Sequence, residues 1–78
     1  MPNPLNILGY AIRRYRLVLG ISQEELADRC KFDRTYISML ERGTRNPSFL
    51  NLVRLAKGLE VSVSTLTEDY QNGFEPDR

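Results

Sequence analysis

The run Gly20-Ile21-Ser22-Gln23-Glu24-Glu25-Leu26-Ala27-Asp28-Arg29-Cys30-Lys31-Phe32-Asp33-Arg34-Thr35-Tyr36-Ile37-Ser38-Met39-Leu40-Glu41-Arg42-Gly43 reads as two short helices and one turn. Ser22-Gln23-Glu24-Glu25 has the layout of a capping box, in which the serine hydroxyl accepts from the Glu25 backbone N–H and the glutamate reaches back. Leu26, Ala27 and Cys30 then share one helical face over about two turns. The period breaks at Lys31-Phe32, and Asp33 stands where the N-cap of a following helix is expected. That helix carries Tyr36, Ile37 and Leu40 and runs to Gly43.

Helical punctuation continues on both sides of this run. After Asn3-Pro4, apolar residues at Leu8, Ala11, Ile12, Tyr15 and Leu19 form an i, i+3, i+4 stripe that Gly20 stops. Gly9 lies inside that helix, where glycine is unfavourable, so a close backbone contact is expected there. On the C-terminal side, Thr44-Arg45-Asn46-Pro47 is a loop, and Ser48 caps a fourth helix striped by Leu52, Leu55, Ala56 and Leu59. Ser62 or Ser64 starts a short fifth helix holding Val63 and Leu66. No repeat or low-complexity tract divides the chain. The predicted fold is all-α, a compact bundle of about five short helices containing a helix-turn-helix. Residues 1–70 form the domain, and residues 71–78 are expected to fray as an acidic tail.

Composition narrows the chemistry. Seventy-eight residues fit one domain, whose folding hides only roughly 60% of the unfolded surface, so association would supplement a modest core. There is no histidine, no tryptophan and a single cysteine, Cys30, which reads as a small core residue. An internal disulfide and Cys/His zinc sites are therefore impossible, and the common histidine-based catalytic dyads and triads are absent. No catalytic residue, metal, cofactor or small-molecule ligand is expected. No apolar run matches a membrane span, and no signal-peptide layout is visible, so a cytoplasmic, non-membrane protein is expected.

The net charge of +1 conceals an asymmetry. Residues 1–58 hold ten Lys/Arg and five Asp/Glu, a net +5, whereas residues 59–78 hold one Arg and five Asp/Glu, a net −4. A basic body with an acidic end suits a polyanionic partner that touches only the first part, although ordinary surface charge has the same appearance.

An α-helix fits the major groove of double-stranded DNA and presents its N-terminal side chains to the base edges. On the third helix these are Arg34, Thr35, Ser38, Tyr36 and Met39, with Ile37 and Leu40 turned to the core. Arg34 can bridge O6 and N7 of a guanine, and Thr35 can offer a methyl to thymine. A cation at a helix N-terminus opposes the helix dipole, which favours a ligand-directed role for Arg34. Arg42, Thr44, Arg45, Asn46 and Ser48 supply polar groups suited to phosphate, and Arg45 can also enter a narrow minor groove.

The combination of Gly20-Ile21-Ser22-Gln23-Glu24-Glu25-Leu26-Ala27, Tyr36-Ile37-Ser38-Met39-Leu40-Glu41-Arg42-Gly43 and Asn46-Pro47-Ser48 resembles the phage Cro/repressor type of helix-turn-helix domain, from about Leu5 to Leu66. Asp33-Arg34-Thr35-Tyr36-Ile37-Ser38, with Glu41-Arg42 and Arg45-Asn46, looks most like the controller proteins of restriction–modification systems. That resemblance implies a small homodimeric regulator that activates, and at higher occupancy represses, its own operon from a pseudo-palindromic site. It also implies that Gln23 contacts the DNA backbone or braces the reading helix, and that Arg16 pairs with Glu41. By the same resemblance, the acidic outer face of the second helix, Glu24, Glu25 and Asp28, meets RNA polymerase. One departure stands out: the family usually has glycine where this chain has Lys31, and a positive φ there would cost a residue with a Cβ roughly 1 kcal/mol.

Val63, Leu66 and Tyr70, with Phe74 beyond them, offer more apolar material than a fifth helix needs, and with Leu50 of the fourth helix are expected at a two-fold dimer face. Two other regulators share the same core, a phage-type repressor and an antitoxin whose main duty is to mask a protein partner. DNA binding would show a counterion slope that protein docking lacks.

Overall fold

The computed structural model describes residues 3–71, and of Tyr70 and Gln71 only the backbone. The described residues form five helices and no strand: α1 (Pro4–Leu19), α2 (Gln23–Cys30), α3 (Arg34–Glu41), α4 (Phe49–Leu59) and α5 (Val63–Gln71). Their starts follow side-chain chemistry. Asn3 Oδ1 accepts from Leu5 N at 2.7 Å, with Pro4 in the first turn of α1. Ser22, Ser48 and Ser62 each accept, through the hydroxyl, from the backbone N–H three residues on, at 3.0–3.1 Å. Ser62, rather than Ser64, therefore caps α5. Asp33 departs from expectation: it occupies the N-cap of α3 with extended φ and ψ but makes no side-chain cap bond. The second half of the predicted capping box is also redirected, because Glu25 Oε2 accepts from Arg29 Nη2 at 3.1 Å.

Helix ends use left-handed residues. Gly20 (φ 72°) closes α1 as its position predicts, and Lys31 (φ 62°) closes α2 with the positive φ expected at the turn. Glu60 (φ 62°) does the same for α4 without a glycine. The third helix stops at Glu41, two residues before Gly43 (φ 76°).

Every helix sends a large side chain to one centre: Ile12, Leu26, Ile37 with Leu40, Leu55 with Leu59, and Leu66 are all under 2% exposed. Helix α1 packs on α3, α4 and α5, and α2 packs on α3 and α4. The α1 stripe is rotated toward its polar side, so Ile7 and Arg16 are buried while Leu8, Tyr15 and Leu19 are half-buried. Gly9 faces α3, where a Cβ would lie 2.5 Å from the Glu41 carbonyl oxygen and 2.6 Å from that of Leu40. The close approach inferred from a mid-helix glycine is therefore the crossing of α1 over the end of α3.

Cys30 is buried, and its thiol donates to Arg54 O at 3.4 Å. Burial pushes its pKa up, against the opposing charges of Arg54 and Arg29.

One expectation is corrected here. Leu66, assigned to a dimer face, is 1% exposed and belongs to the core of its own chain. A bundle this small has few large side chains, so α5 must spend its central leucine covering α1 and α4. Val63 is half-buried against the same cluster. Leu50 does remain outside, 72% exposed, beside Phe49 at 68%. The Tyr70 side chain, Phe74 and the acidic segment from residue 72 lie outside the described residues.

Candidate nucleic-acid interface

The helix-turn-helix consists of α2, the turn at Lys31–Asp33, and α3. What holds it to the bundle is a polar knot beneath it. Arg16 Nε and Nη2 donate to the two carboxylate oxygens of Glu41 at 2.6 and 3.0 Å, a fork-to-fork pair whose side chains are only 11% and 5% exposed. Arg16 Nη1 donates to Ile21 O at 2.9 Å, and Gln23 Nε2 donates to Glu41 Oε1 at 3.1 Å. One guanidinium and one carboxylate thus join α1, the start of α2 and the end of α3. The hydrogen bonds to Glu41 hold the Arg16 pKa above its ordinary, already high value, with burial opposing. A raised pKa means this contribution is complete at neutral pH and is lost only as strong alkali titrates the guanidinium. Gln23, for which two roles were open, has its amide turned inward as a brace.

Above the knot, α3 divides its residues as its period requires. Ile37 and Leu40 are buried, Ser38 and Met39 are half-buried, and Arg34 and Thr35 are exposed at the N-terminal end. Tyr36 is held on several sides. Its ring meets Phe32 edge-on at 4.8 Å, its hydroxyl accepts from Asn51 Nδ2 at 3.0 Å, and the Arg45 guanidinium lies 5.4 Å from its ring centre. The loop after α3 is shaped by Thr44, whose backbone N and Oγ1 both donate to Met39 O, at 3.0 and 3.1 Å. Arg42, Arg45 and Asn46 are exposed around it, and the exposed Ser48 uses its hydroxyl to cap α4. The structure therefore brings Thr35, Tyr36, Met39 and Arg45 around one shallow pocket, while Arg34 stands exposed at the N-terminal end of the same helix.

On α2, Glu24, Glu25 and Asp28 are exposed, with Glu25 paired to Arg29 and Arg29 paired in turn to Glu60 at 3.1 Å. Three residues to which the sequence reading gave no site role take part: Phe32, Asn51 and Arg54. No local pattern marks them, because their partners stand on other elements. The one hint was Lys31 itself, since a left-handed residue other than glycine needs support from elsewhere. Among the described residues there is no cluster of His, Cys, Asp and Glu able to hold a metal, and no helix long and apolar enough to cross a membrane.

A family model described as helix-turn-helix matches residues 12–66, which is most of the chain and spans this surface. The chain belongs to the helix-turn-helix family. Within that family it is 43% identical over 70 residues to Control protein C.BamHI of Bacillus amyloliquefaciens, covering 87% of this chain and 86% of the relative. The restriction–modification controller protein C.AhdI of Aeromonas hydrophila superposes with a TM-score of 0.77 at 39% identity, over 80% of this chain and 90% of that one. The controller protein C.Esp1396I, solved as a tetramer in complex with its natural 35 base-pair operator, superposes with a TM-score of 0.81 at 38% identity, over 92% and 95%. This helix-turn-helix chain is a transcription regulator homologous to restriction–modification controller proteins.

Proposed function

We propose that the chain works in the cytoplasm, without catalysis, as a controller that binds a pseudo-palindromic operator as a homodimer and both activates and represses its own operon. The observation that carries this reading is the outward row on α3. Arg34 and Thr35 stand free at the helix N-terminus while Ile37 and Leu40 anchor the opposite side. The chemistry of that row suits base edges: a fork of donors beside a methyl and a hydroxyl. Arg45, stacked on Tyr36, supplies a cation for phosphate or for the minor groove, and Arg42, Thr44, Asn46 and Ser48 complete the polar rim. Support comes from C.Esp1396I, a relative solved on its operator.

Selection of bound duplexes from a random pool returns the site, its symmetry and its spacing together. On that site Arg34→Ala is expected to cost ~1–3 kcal/mol, with a far smaller loss on random DNA. Equal losses on both would reduce Arg34 to a phosphate contact.

Activation is assigned to the acidic face of α2. Glu24 and Asp28 lie one turn apart and exposed, so they can meet a basic patch on RNA polymerase bound beside the operator. The double variant Glu24→Lys, Asp28→Lys should keep its DNA affinity and lose activation in a reporter assay. Unchanged transcription would retire this assignment.

A further inference from the structure

We infer that Arg54 is a positioning residue for DNA reading: it fastens the turn of the helix-turn-helix and, through Phe32 and Tyr36, sets the pose of Arg45. The inference rests on the proposal that α3 and its following loop meet DNA.

The turn needs an outside support. Lys31 holds φ 62° without being glycine, and the last carbonyls of α2 have no partner further along their own helix. Arg54, on α4, supplies what is missing. Its Nε and Nη2 donate to Cys30 O at 3.1 and 2.7 Å, and Nη2 also donates to Lys31 O at 2.8 Å. A fixed cation therefore sits at the negative end of α2 and binds the two carbonyls on either side of the strained residue.

The same guanidinium reaches the reading surface. Its Cζ lies 4.2 Å from the centre of the Phe32 ring, and Phe32 meets Tyr36 edge-on at 4.8 Å, with 63° between the ring planes. Tyr36 in turn carries Arg45 at 5.4 Å. The result is a row of cation, ring, ring and cation from the turn out to the exposed loop. Asn51, one turn before Arg54 on α4, donates to the Tyr36 hydroxyl at 3.0 Å, so α4 grips the row at two adjacent positions. An exposed arginine ordinarily gives up rotamer freedom when it binds. Arg45 already stacked on an immobilised ring gives up less, and the direction from which it approaches DNA is fixed in advance.

A direct phosphate contact by Arg54 is the competing role, but two of its nitrogens already donate to backbone carbonyls. A purely structural role is the other, and it predicts that stability and reading fail and recover together.

The test titrates the full chain against two duplexes, one that the wild type selects from a random pool and one of scrambled sequence, over a series of salt concentrations. Thermal melting is followed in parallel. Arg54→Met should melt lower, lose about tenfold in affinity for the selected duplex and less than about twofold for the scrambled one, with an unchanged salt slope. Adding Lys31→Gly removes the Cβ from the left-handed position and should restore melting but not discrimination. Phe32→Leu, which leaves the carbonyl bonds in place, should show the same loss of discrimination even where Arg54→Met folds poorly. Recovery of both properties by Lys31→Gly would overturn the proposal, as would full discrimination in Phe32→Leu. A loss equal on both duplexes, with a salt slope smaller by about 0.9, would make Arg54 a phosphate contact instead. Failure of the wild type to select any duplex would refute the DNA reading itself, a result distinct from all of these.

Discussion

Glu41→Gln should lower stability by ~3–5 kcal/mol, because it strands a buried cation. The wild-type carboxylate accepts from Arg16 twice and from Gln23 once, with its side chain 5% exposed. Glutamine is nearly the same shape but presents one oxygen and one NH2 where three donors converge. Arg16 would keep its bond to Ile21 O and lose its counter-charge, with no solvent at hand to replace it. For a domain of 60–100 residues each kcal/mol shifts the midpoint by roughly 4–8 °C, so the expected fall in melting temperature is large and easily measured by circular dichroism. Helix α3 should suffer most, because this pair and the crossing at Gly9 are what tie its C-terminal end to α1. A Gln variant melting within a degree or two of wild type would mean that the pair is more solvated than its exposure indicates.

That pair also shows what could be read in advance and what could not. Its residue types follow from the family resemblance, and the caps at Ser22 and Ser48 and the stop at Gly20 follow from local chemistry that needs no tertiary knowledge. Gly9 was legible as a constraint though not as a place: a glycine kept inside a helix signals a close approach, and only the fold identifies the carbonyls of Leu40 and Glu41. Asp33 takes the N-cap backbone geometry without the side-chain bond, because N-cap preference is a tendency of residue types and fixes no particular bond. The Phe32–Tyr36–Asn51–Arg54 grouping was invisible for a different reason. Phe32 and Tyr36 stand close in sequence, as do Asn51 and Arg54, but the contacts that join one pair to the other cross from α4 to the turn and α3, and such long-range contacts leave no periodic signal.

Leu66 marks the limit of hydrophobic pattern. An apolar stripe says that a face is buried and does not say against what. Among the described residues only seven large side chains are under 2% exposed, and the fifth helix is needed to close the bundle, so its leucine is drawn inward. Exposed apolar surface appears instead at the start of α4, at Phe49 and Leu50, and on α1, at Tyr10, Leu17 and Val18.

The assembly prediction therefore moves to the start of α4. Leu50→Arg should convert a two-fold dimer to a monomer while leaving the fold intact, because Leu50 is 72% exposed and is not a member of the core cluster. Phe49 beside it is 68% exposed, so two neighbouring large apolar side chains face solvent at the start of α4. One reading helix touches about four or five base pairs, too few to single out a site among ~10⁶ or more competitors. A two-fold pair doubles the contacts, with half-sites centred ~10 bp apart so that both α3 helices enter the same face of the duplex. Specific binding typically exceeds non-specific binding by ~4–10 kcal/mol, so removing one of two equal halves should cost roughly 2–5 kcal/mol in operator affinity. That range reaches above the ~1–3 kcal/mol expected of a single base contact. Sedimentation at micromolar concentration should give twice the chain mass for wild type and the chain mass for Leu50→Arg, with equal melting temperatures at dilutions where both are monomeric. A variant that stays dimeric would move the interface away from α4, and a wild-type monomer that binds a single half-site tightly would remove the need for one.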